Sequence, residues 1–472
     1  MLDTTLAKPK KRVRTISGVT ILSVMTKPLP CPGECVYCPG GFDKPVPTPK
    51  SYMPKSPTVL RAIRNNYDPK EQVEGRIQVL DLNGHLAEKC ELIVMGGTFM
   101  ASPQKYRTEF IKGIYDGLNG IVSGSLEEAK KINETAKHRC IGLCIETRPD
   151  WCSKSQIDEM LNFGTTRIEL GVQIADDKNY ELTKRGHSVQ DVINATKLLK
   201  DAGFKIYYHY MCNLPGSNVE NDIKQFEKLF SNPAFRPDGL KIYPCIVVEG
   251  TELEDWYKQG NYVPYTDGEI VEILARIKSM VPRYARIQRV MRDIPAQYIV
   301  GGTKHCHQRD SAKDRMKELG LKCECIRCRE VGYGLLKGKI VKDENIKLNV
   351  FDYEASGGKE IFLSFDDVEN DLIVGLLRLR VPDKSFRPEI TPTSTIVREL
   401  HVFGVEASMQ NQTSWTTAFQ HKGFGKKLMA EAERITKEMG FDKVVVISGV
   451  GVKEYYKKLG YAPEGPYMVK KL

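Results

Sequence analysis

Cys31, Cys35 and Cys38 stand in the string CPGECVYC, a C-x3-C-x2-C spacing, with Pro32, Gly33, Pro39, Gly40 and Gly41 around them. Proline and glycine disfavour a helix there and let the backbone wrap closely. Three thiolates from one loop suit three irons of a [4Fe–4S] cluster. The fourth iron is then left without a protein ligand, unlike the four-cysteine clusters of electron carriers. An open iron can take a small molecule through an amine and a carboxylate. S-adenosylmethionine offers both, and its reductive cleavage is a radical source. The rival reading is zinc, whose structural sites need four ligands, so a residue such as Cys90 or Cys140 would have to complete it.

A second group is Gln420-His421-Lys422-Gly423-Phe424-Gly425, followed by a stretch with helical spacing. Two glycines before a helix N-terminus permit close approach to a pyrophosphate, which the first free N–H groups of the helix would bind. The motif resembles the Q/R-x-x-G-x-G/A loop of GNAT acetyltransferases. Tyr455 and Tyr456 begin the last helix; one should face inward and one outward, and a tyrosine near a thioester can act as an acid. A third group, Cys323, Cys325 and Cys328, has C-x-C-x2-C spacing with His305, Cys306 and His307 upstream. Soft thiolates so close together predict a closed zinc site in a short linker, with Cys306 as the fourth ligand.

The elements that must position these groups follow from hydrophobic rhythm. Apolar runs at 91–97, 140–147, 166–173, 205–212, 239–244 and 285–291 predict buried strands. Helical spacing fills the gaps, as in 188–203, stopped by Gly203, and in 266–282. Strand–helix alternation predicts parallel βαβ units in a complete or partial (β/α) barrel, with chemistry at the carboxyl ends of the strands. Beyond residue 336 the order changes to strands at 360–365, 371–380 and 394–404, a helix at 425–440, a strand at 443–450 and a short helix at 452–460. That order predicts an α/β chain ending in an α+β domain. The expected divisions are a basic tail over 1–20, a barrel over 21–300, a cysteine-rich linker over 301–335 and the last domain over 336–472.

Composition limits the alternatives. The chain has 472 residues, 41% hydrophobic and 28% charged, ordinary for a folded multidomain protein. No apolar run is long enough to span a membrane, and the first residues lack the apolar core of a secretory signal. Seventy Lys and Arg against 60 Asp and Glu give +10, which favours a polyanionic partner. Thirteen cysteines in such a chain read as metal ligands or buried thiols in a reducing cytoplasm rather than as a disulfide framework.

Longer strings add a resemblance. CPGECVYCPGG, IVMGGTFM, CIETRPDWC, RIELGVQ, RGH, GLKIYP, RDIP, REVG, IVRELHVFG, QHKGFG and SGVGVKEYYKKLGY resemble, in order, the radical S-adenosylmethionine superfamily and, closely, the Elongator catalytic-subunit family in its single-subunit archaeal-like form. The resemblance implies a radical barrel followed by a GNAT-like domain. It implies an enzyme that uses S-adenosylmethionine and acetyl-CoA to add a carboxymethyl group to carbon 5 of the transfer-RNA wobble uridine, with an electron donor as partner. Homo-oligomerisation is left open.

The resemblance places Met95, Gly96, Gly97 and Thr98 on the S-adenosylmethionine side. Glu146, Arg148, Glu169 and Gln173 also sit at strand ends, where a ligand or an internal salt bridge must satisfy them. It places Lys89, the main chain of Glu399, Leu400, His401 and Val402, the turn Gln420, Lys422, Gly423, Phe424, Gly425 and Lys426, and Tyr456 on acetyl-CoA. Lys10, Lys11, Arg12, Arg14, Arg283, Arg286, Arg289 and Arg292 are candidates for RNA phosphates, the last four being also candidates for internal ion pairs. Two other functions fit parts of the chain: a protein lysine acetyltransferase with a structural barrel, and a non-catalytic RNA-binding scaffold.

Overall fold

Seven short, largely buried strands build the first layer. They are β1 (Thr20–Met25), β2 (Lys89–Met95), β3 (Arg139–Thr147), β4 (Thr165–Gln173), β5 (Lys205–Cys212), β6 (Gly239–Pro244) and, after a two-residue β7 (Val247–Val248), β8 (Arg286–Val290). In this computed structural model, which describes residues 15–305, 307–404, 419–420 and 422–472, they pair in parallel in the order β1-β2-β3-β4-β5-β6-β8. Among the described residues β1 pairs only with β2 and β8 only with β6, so the sheet is an open half-barrel, the partial form of the two expected.

The helices between the strands carry the predicted stops and starts. Val189–Asp201 and Asp267–Ser279 begin with capping boxes from Ser188 with Asp191 and Thr266 with Glu269. Gly203, at φ +96°, takes the left-handed turn that follows the first of these helices. β1 was not expected. It starts inside the stretch assigned to a basic tail, and Thr15 and Ile16 just before it are already buried. Its single short run, TILSVM, carries two polar residues and gave no helix-coupled rhythm. A small β9 (Ile299–Gly301) pairs antiparallel with β7 across the division expected at residue 300.

The second layer is a seven-stranded sheet of order β10-β11-β12-β13-β14-β16-β15. Its strands are β10 (Ile346–Ala355), β11 (Gly358–Asp367), β12 (Leu372–Val381), β13 (Ser394–Val402), β14 (Lys443–Val446), β15 (Ala462–Glu464) and β16 (Tyr467–Lys471). β10 and the β15–β16 hairpin were not expected. β10 exposes most of both faces, which dilutes its alternation, and β15 is three exposed residues long. β14 ends at Val446, four residues before the expected end, because the chain leaves the sheet there.

One pairing matters for function. β13 and β14 run parallel only from Ser394 opposite Lys443 to Val397 opposite Val446. Beyond Val397, β13 pairs with β12 alone, so Arg398 to Val402 present an edge to which β14 does not pair.

The two sheets share a hydrophobic core that runs from Leu92 and Ile168 through Phe204 to Ile373 and Ile396. They also share a buried charge network. Arg398 donates through Nη1 and Nη2 to both oxygens of Asp238, each at 2.7 Å, and also to Glu360 at 2.7 Å. Arg380 reaches Asp201 at 2.6 Å, and Arg378 reaches Glu399 at 2.7 Å. Burial disfavours ionisation of Asp238, but the Arg398 and Arg378 guanidinium groups outweigh it and hold its carboxyl far below the usual range.

Candidate active site in the half-barrel lumen

The cysteine loop leaves β1 and lies over the carboxyl ends of the parallel strands. Cys31, Cys35 and Cys38 are half-buried, and no disulfide joins any of the described cysteines. The loop is held by backbone and side chain together. The Cys38 N–H donates to the Cys35 carbonyl at 3.0 Å, and Cys38 Sγ lies 3.4 Å from Ser51 Oγ. Cys31 Sγ lies 3.8 Å from Thr98 Oγ1. Arg185 Nη1 donates to Cys35 Sγ at 3.2 Å.

One cavity joins the three cysteines to Met95, Gly97, Thr98, Glu146, Arg148, Glu169 and Gln173. Gly96 is the one residue of that expected group outside the lining. At φ +144° its missing side chain would overlap Thr26, so glycine there serves the turn, whereas Gly97 at φ +86° faces the cavity. Arg289 and Arg292, expected to meet RNA, line the same cavity. Arg289 pairs with Asp293, and Arg292 donates to the Ser51 carbonyl at 2.8 Å.

Below the mouth the lumen is charged. Glu146 accepts from Lys241 Nζ and from the Tyr52 hydroxyl, both at 3.1 Å. Glu169 is fully buried, pairs with Lys241, and lies 2.8 Å from His209 Nε2 and 3.2 Å from Arg167. Burial alone would raise the Glu169 carboxyl; Lys241 and Arg167 overcome this and hold it well below the ordinary range. Arg167 passes the chain of charges down to Glu91. For Glu146 and Glu169, then, internal ion pairs supply partners.

Arg148 and Gln173 differ. Arg148 is held by Asp150 through two bonds of 2.9 Å, which leaves its Nη1 buried without a hydrogen-bond partner beside Gly33. Gln173 Oε1 is likewise buried and unsatisfied, on a residue at φ +68°. Orphaned polar atoms beside three convergent thiols fit a polar, amine- and carboxylate-bearing ligand on an iron–sulfur cluster. Lys241, His209, Tyr52 and Arg185 were not found from the sequence. The available signal was position: lumen-facing alternates near strand ends, and the RGH string.

The acetyl-CoA candidates gather at the opposite, amino ends of the strands. Gly423, at φ +82°, caps the helix Phe424–Glu438, whose first N–H groups point out of the helix. Phe424 packs on Phe365 with ring centroids 5.1 Å apart. A side chain at Gly425 would meet the Tyr455 hydroxyl at 2.9 Å and Val402 at 3.7 Å, so the turn, the open β13 edge and Tyr455 converge. Tyr455 is 37% exposed and burial pushes its hydroxyl up to about 12. Tyr456 instead lies in the core beside Tyr461.

Gln420 Nε2 donates to the carbonyls of Val402 at 3.1 Å and Gly18 at 3.2 Å. Lys205 meets Glu399 at 2.8 Å, and His401 Nε2 lies 2.8 Å from the Ser17 carbonyl. Leu400 is half-buried, Lys426 is exposed, and Lys422 pairs with Asp343 at 3.1 Å.

Elsewhere, the sulfurs of Cys323, Cys325 and Cys328 lie within 4.8 Å of one another, a donor set that fits zinc once a fourth ligand joins. Cys306, together with Lys10, Lys11, Arg12, Arg14 and His421, lies outside the described residues. Arg283 pairs with Glu324 and Asp371 and Arg286 with Glu330, so internal ion pairs hold both. No helix among the described residues is long and apolar enough to cross a membrane.

Three family models match this layout: the Radical SAM superfamily over residues 30–229, the Radical_SAM C-terminal domain over 237–318 and the Acetyltransferase (GNAT) family over 342–461. The chain is 51% identical to the tRNA uridine(34) acetyltransferase of Methanocaldococcus infernus, covering 98% of this chain and 87% of that protein. The protein of that name from Dehalococcoides mccartyi is 51% identical, over 98% of this chain and all of its own length. The chain belongs to the tRNA uridine(34) acetyltransferase and Elongator complex protein 3 family. Human Elongator complex protein 3 is 46% identical, over 98% of this chain and 86% of its own. Among solved structures, the archaeal Methanocaldococcus infernus Elp3 with an N-terminal deletion (1–46) superposes at a TM-score of 0.86 and 48% identity, covering 97% of this chain and 100% of that one.

Proposed function

We propose that this chain modifies the wobble uridine of transfer RNA, adding a carboxymethyl group to carbon 5 with acetyl-CoA as the carbon source. The single observation that carries the reading is the convergence of three thiols in one cavity with the unpartnered Arg148 Nη1 and Gln173 Oε1, in a chain whose second sheet sets the open β13 edge beside the Gly423 turn. When bound by Cys31, Cys35 and Cys38, a [4Fe–4S] cluster with S-adenosylmethionine supplies a radical able to take hydrogen from an unactivated C–H bond, which no acid–base side chain does at neutral pH.

The chain's own residues do the rest. Arg148 Nη1 and Gln173 Oε1 offer a donor and an acceptor to the S-adenosylmethionine, while Gly97 and Thr98 line its approach. The main chain of Glu399 to Val402 and the N–H groups of Phe424, Gly425 and Lys426 bind the arm and pyrophosphate of acetyl-CoA. Lys89 reaches the same turn by way of Gln420, and Lys422 and Gly423 shape it. Tyr455, protonated at neutral pH, is the acid nearest the turn, and Tyr456 supports it from the core. The lumen ion pairs keep Lys241 and Glu169 charged, and Lys241 and Tyr52 hold Glu146 in place, so fixed dipoles line the lumen. Arg289 and Arg292 at the mouth, with Lys10, Lys11, Arg12 and Arg14, serve the RNA phosphates, whereas Arg283 and Arg286 are spent on internal ion pairs. Cys323, Cys325, Cys328 and Cys306 hold a structural zinc. An external one-electron donor and a cytoplasmic setting complete the reading.

The test is C35A assayed for 5-carboxymethyluridine in transfer RNA. Product should vanish while transfer-RNA affinity stays within about twofold; product retained by C35A overturns the radical assignment. Peptide acetylation that survives in a C31A/C35A/C38A variant would favour the lysine acetyltransferase instead.

A further inference from the structure

Arg185 is only 6% exposed, yet no carboxylate among the described residues pairs with it. Its Nη2 donates to the Gly171 carbonyl on β4 and its Nη1 to the Cys35 sulfur at 3.2 Å, while its Nε has no partner. The acidic groups that act on its charge are the Cys35 thiol and the phenols of Tyr37 and Tyr180. An unpaired buried guanidinium is strongly unfavourable unless an anion offsets it. The neighbouring arginine shows the contrast, since Arg148 is clamped by Asp150. His187, packed on Tyr180 with both ring nitrogens unpartnered, adds no compensating negative charge.

We propose that Arg185 sets the electron affinity of the cluster held through Cys35, its fixed positive charge and sulfur-directed hydrogen bond favouring the reduced form. This rests on the reading that Cys31, Cys35 and Cys38 hold an iron–sulfur cluster. Reduction brings in one electron from an external low-potential reductant. No bond to Arg185 forms or breaks and no proton moves, so the cluster and its thiolates gain one negative charge. A cation 3.2 Å from one of those sulfurs stabilises that added charge. Hydrogen bonds to cluster sulfurs are among the levers that tune such potentials. Arg185 is thus a positioning and tuning residue, not one that touches substrate.

The test compares the full-length chain with R185M and R185K, each reconstituted anaerobically with iron and sulfide and poised with dithionite and redox mediators. The reduced cluster is read by electron paramagnetic resonance. Iron content and a reducible signal in the unaltered chain test the cluster itself; their absence sinks that reading and this one with it. Given a signal there, R185M at equal iron content should show a reduced-to-oxidised ratio at least tenfold lower at a fixed potential, about 59 mV for a one-electron couple. R185K should stay within threefold. An unchanged ratio in R185M, or an equal fall in R185M and R185K, overturns the proposal. Should R185M fail to retain iron, retention by R185K supports the role of the charge, and loss from both variants overturns it.

Discussion

Lys89 Nζ and Gln420 Oε1 meet at 2.8 Å across the junction between the first strands of the half-barrel and the acetyl-CoA turn. The Gln420 amide nitrogen simultaneously holds the carbonyls of Gly18 and Val402. One amide therefore ties the barrel floor to the open β13 edge, and a lysine that sequence composition marks as a solvated surface residue fixes it.

Removing that cation should loosen the turn without touching the cysteine loop. K89A is expected to weaken acetyl-CoA binding about tenfold, the cost of one charge-assisted hydrogen bond of about 1.5 kcal/mol. Titration calorimetry with acetyl-CoA measures this, and S-adenosylmethionine affinity should not move. Equal loss for both ligands would mean a general packing defect.

The two adjacent tyrosines should separate cleanly. Y455F removes the hydroxyl beside Gly425 and should lower the turnover number for transfer-RNA-dependent acetyl-CoA consumption about tenfold with KM nearly constant, the mark of an acid acting in the transition state. Y456F should leave turnover within about twofold and shift only the melting temperature. The reverse pattern would reassign the acid to Tyr456.

Arg398 and Asp238 are both fully buried and doubly bonded. R398M leaves Asp238 with its charge poorly matched and should cost about 3–5 kcal/mol in urea unfolding, since breaking a buried pair strands the partner. The pH dependence follows with its sign. The carboxyls of Asp238, Glu360, Glu399 and Glu169 are held below their unfolded values of about 4. Their stabilisation is complete above that pH and is lost as pH falls further towards the folded values. The urea midpoint should begin to decline below about pH 6.5, where His187 and His401, lowered by burial, stay neutral while the unfolded chain takes up protons, and should fall more steeply below about pH 4 as the carboxyls add their loss. A slope no steeper below about pH 4 than between about pH 6 and 5 would remove the paired carboxyls from the account.

The Cys323, Cys325 and Cys328 sulfurs predict close to one zinc per chain, measured by plasma mass spectrometry on anaerobically purified protein. C325S, which removes the buried member, should lose that zinc and melt several degrees lower while the iron content of the other triad is unchanged. Zinc-free native protein with full stability would refute the site.

Much of this was legible before any coordinate. The two cysteine triads and the Gly423–Gly425 turn are local, because their ligating or donating atoms lie within a few residues and no distant element has to bring them together. The capped helices after Ser188 and Thr266 were legible for the same reason. What escaped were the partners of the lumen carboxylates. Lys241 in GLKIYP and Arg167 in TRIELGVQ look alike as isolated charges in strands; only the register of β4 against β5 and of β5 against β6 brings Lys241, His209 and Arg167 around Glu169. β10 escaped because a strand exposed on both faces has no hydrophobic period to read.

The sequence by itself determined the chemistry available to this protein: three thiolates on a bending loop, a glycine turn before a helix, and a strand–helix rhythm that puts side chains at strand ends. Spacing along the chain controls those features because bonds and short-range sterics do. Tertiary structure alone decided that Gln420 beside the Gly423 turn meets Lys89 on β2, that Glu146 and Glu169 are paired internally while Arg148 and Gln173 keep unpartnered atoms, and that Arg185 rests on Cys35. Those relationships join residues up to several hundred positions apart, and only the packing of two sheets on a common core can bring such atoms within hydrogen-bond reach.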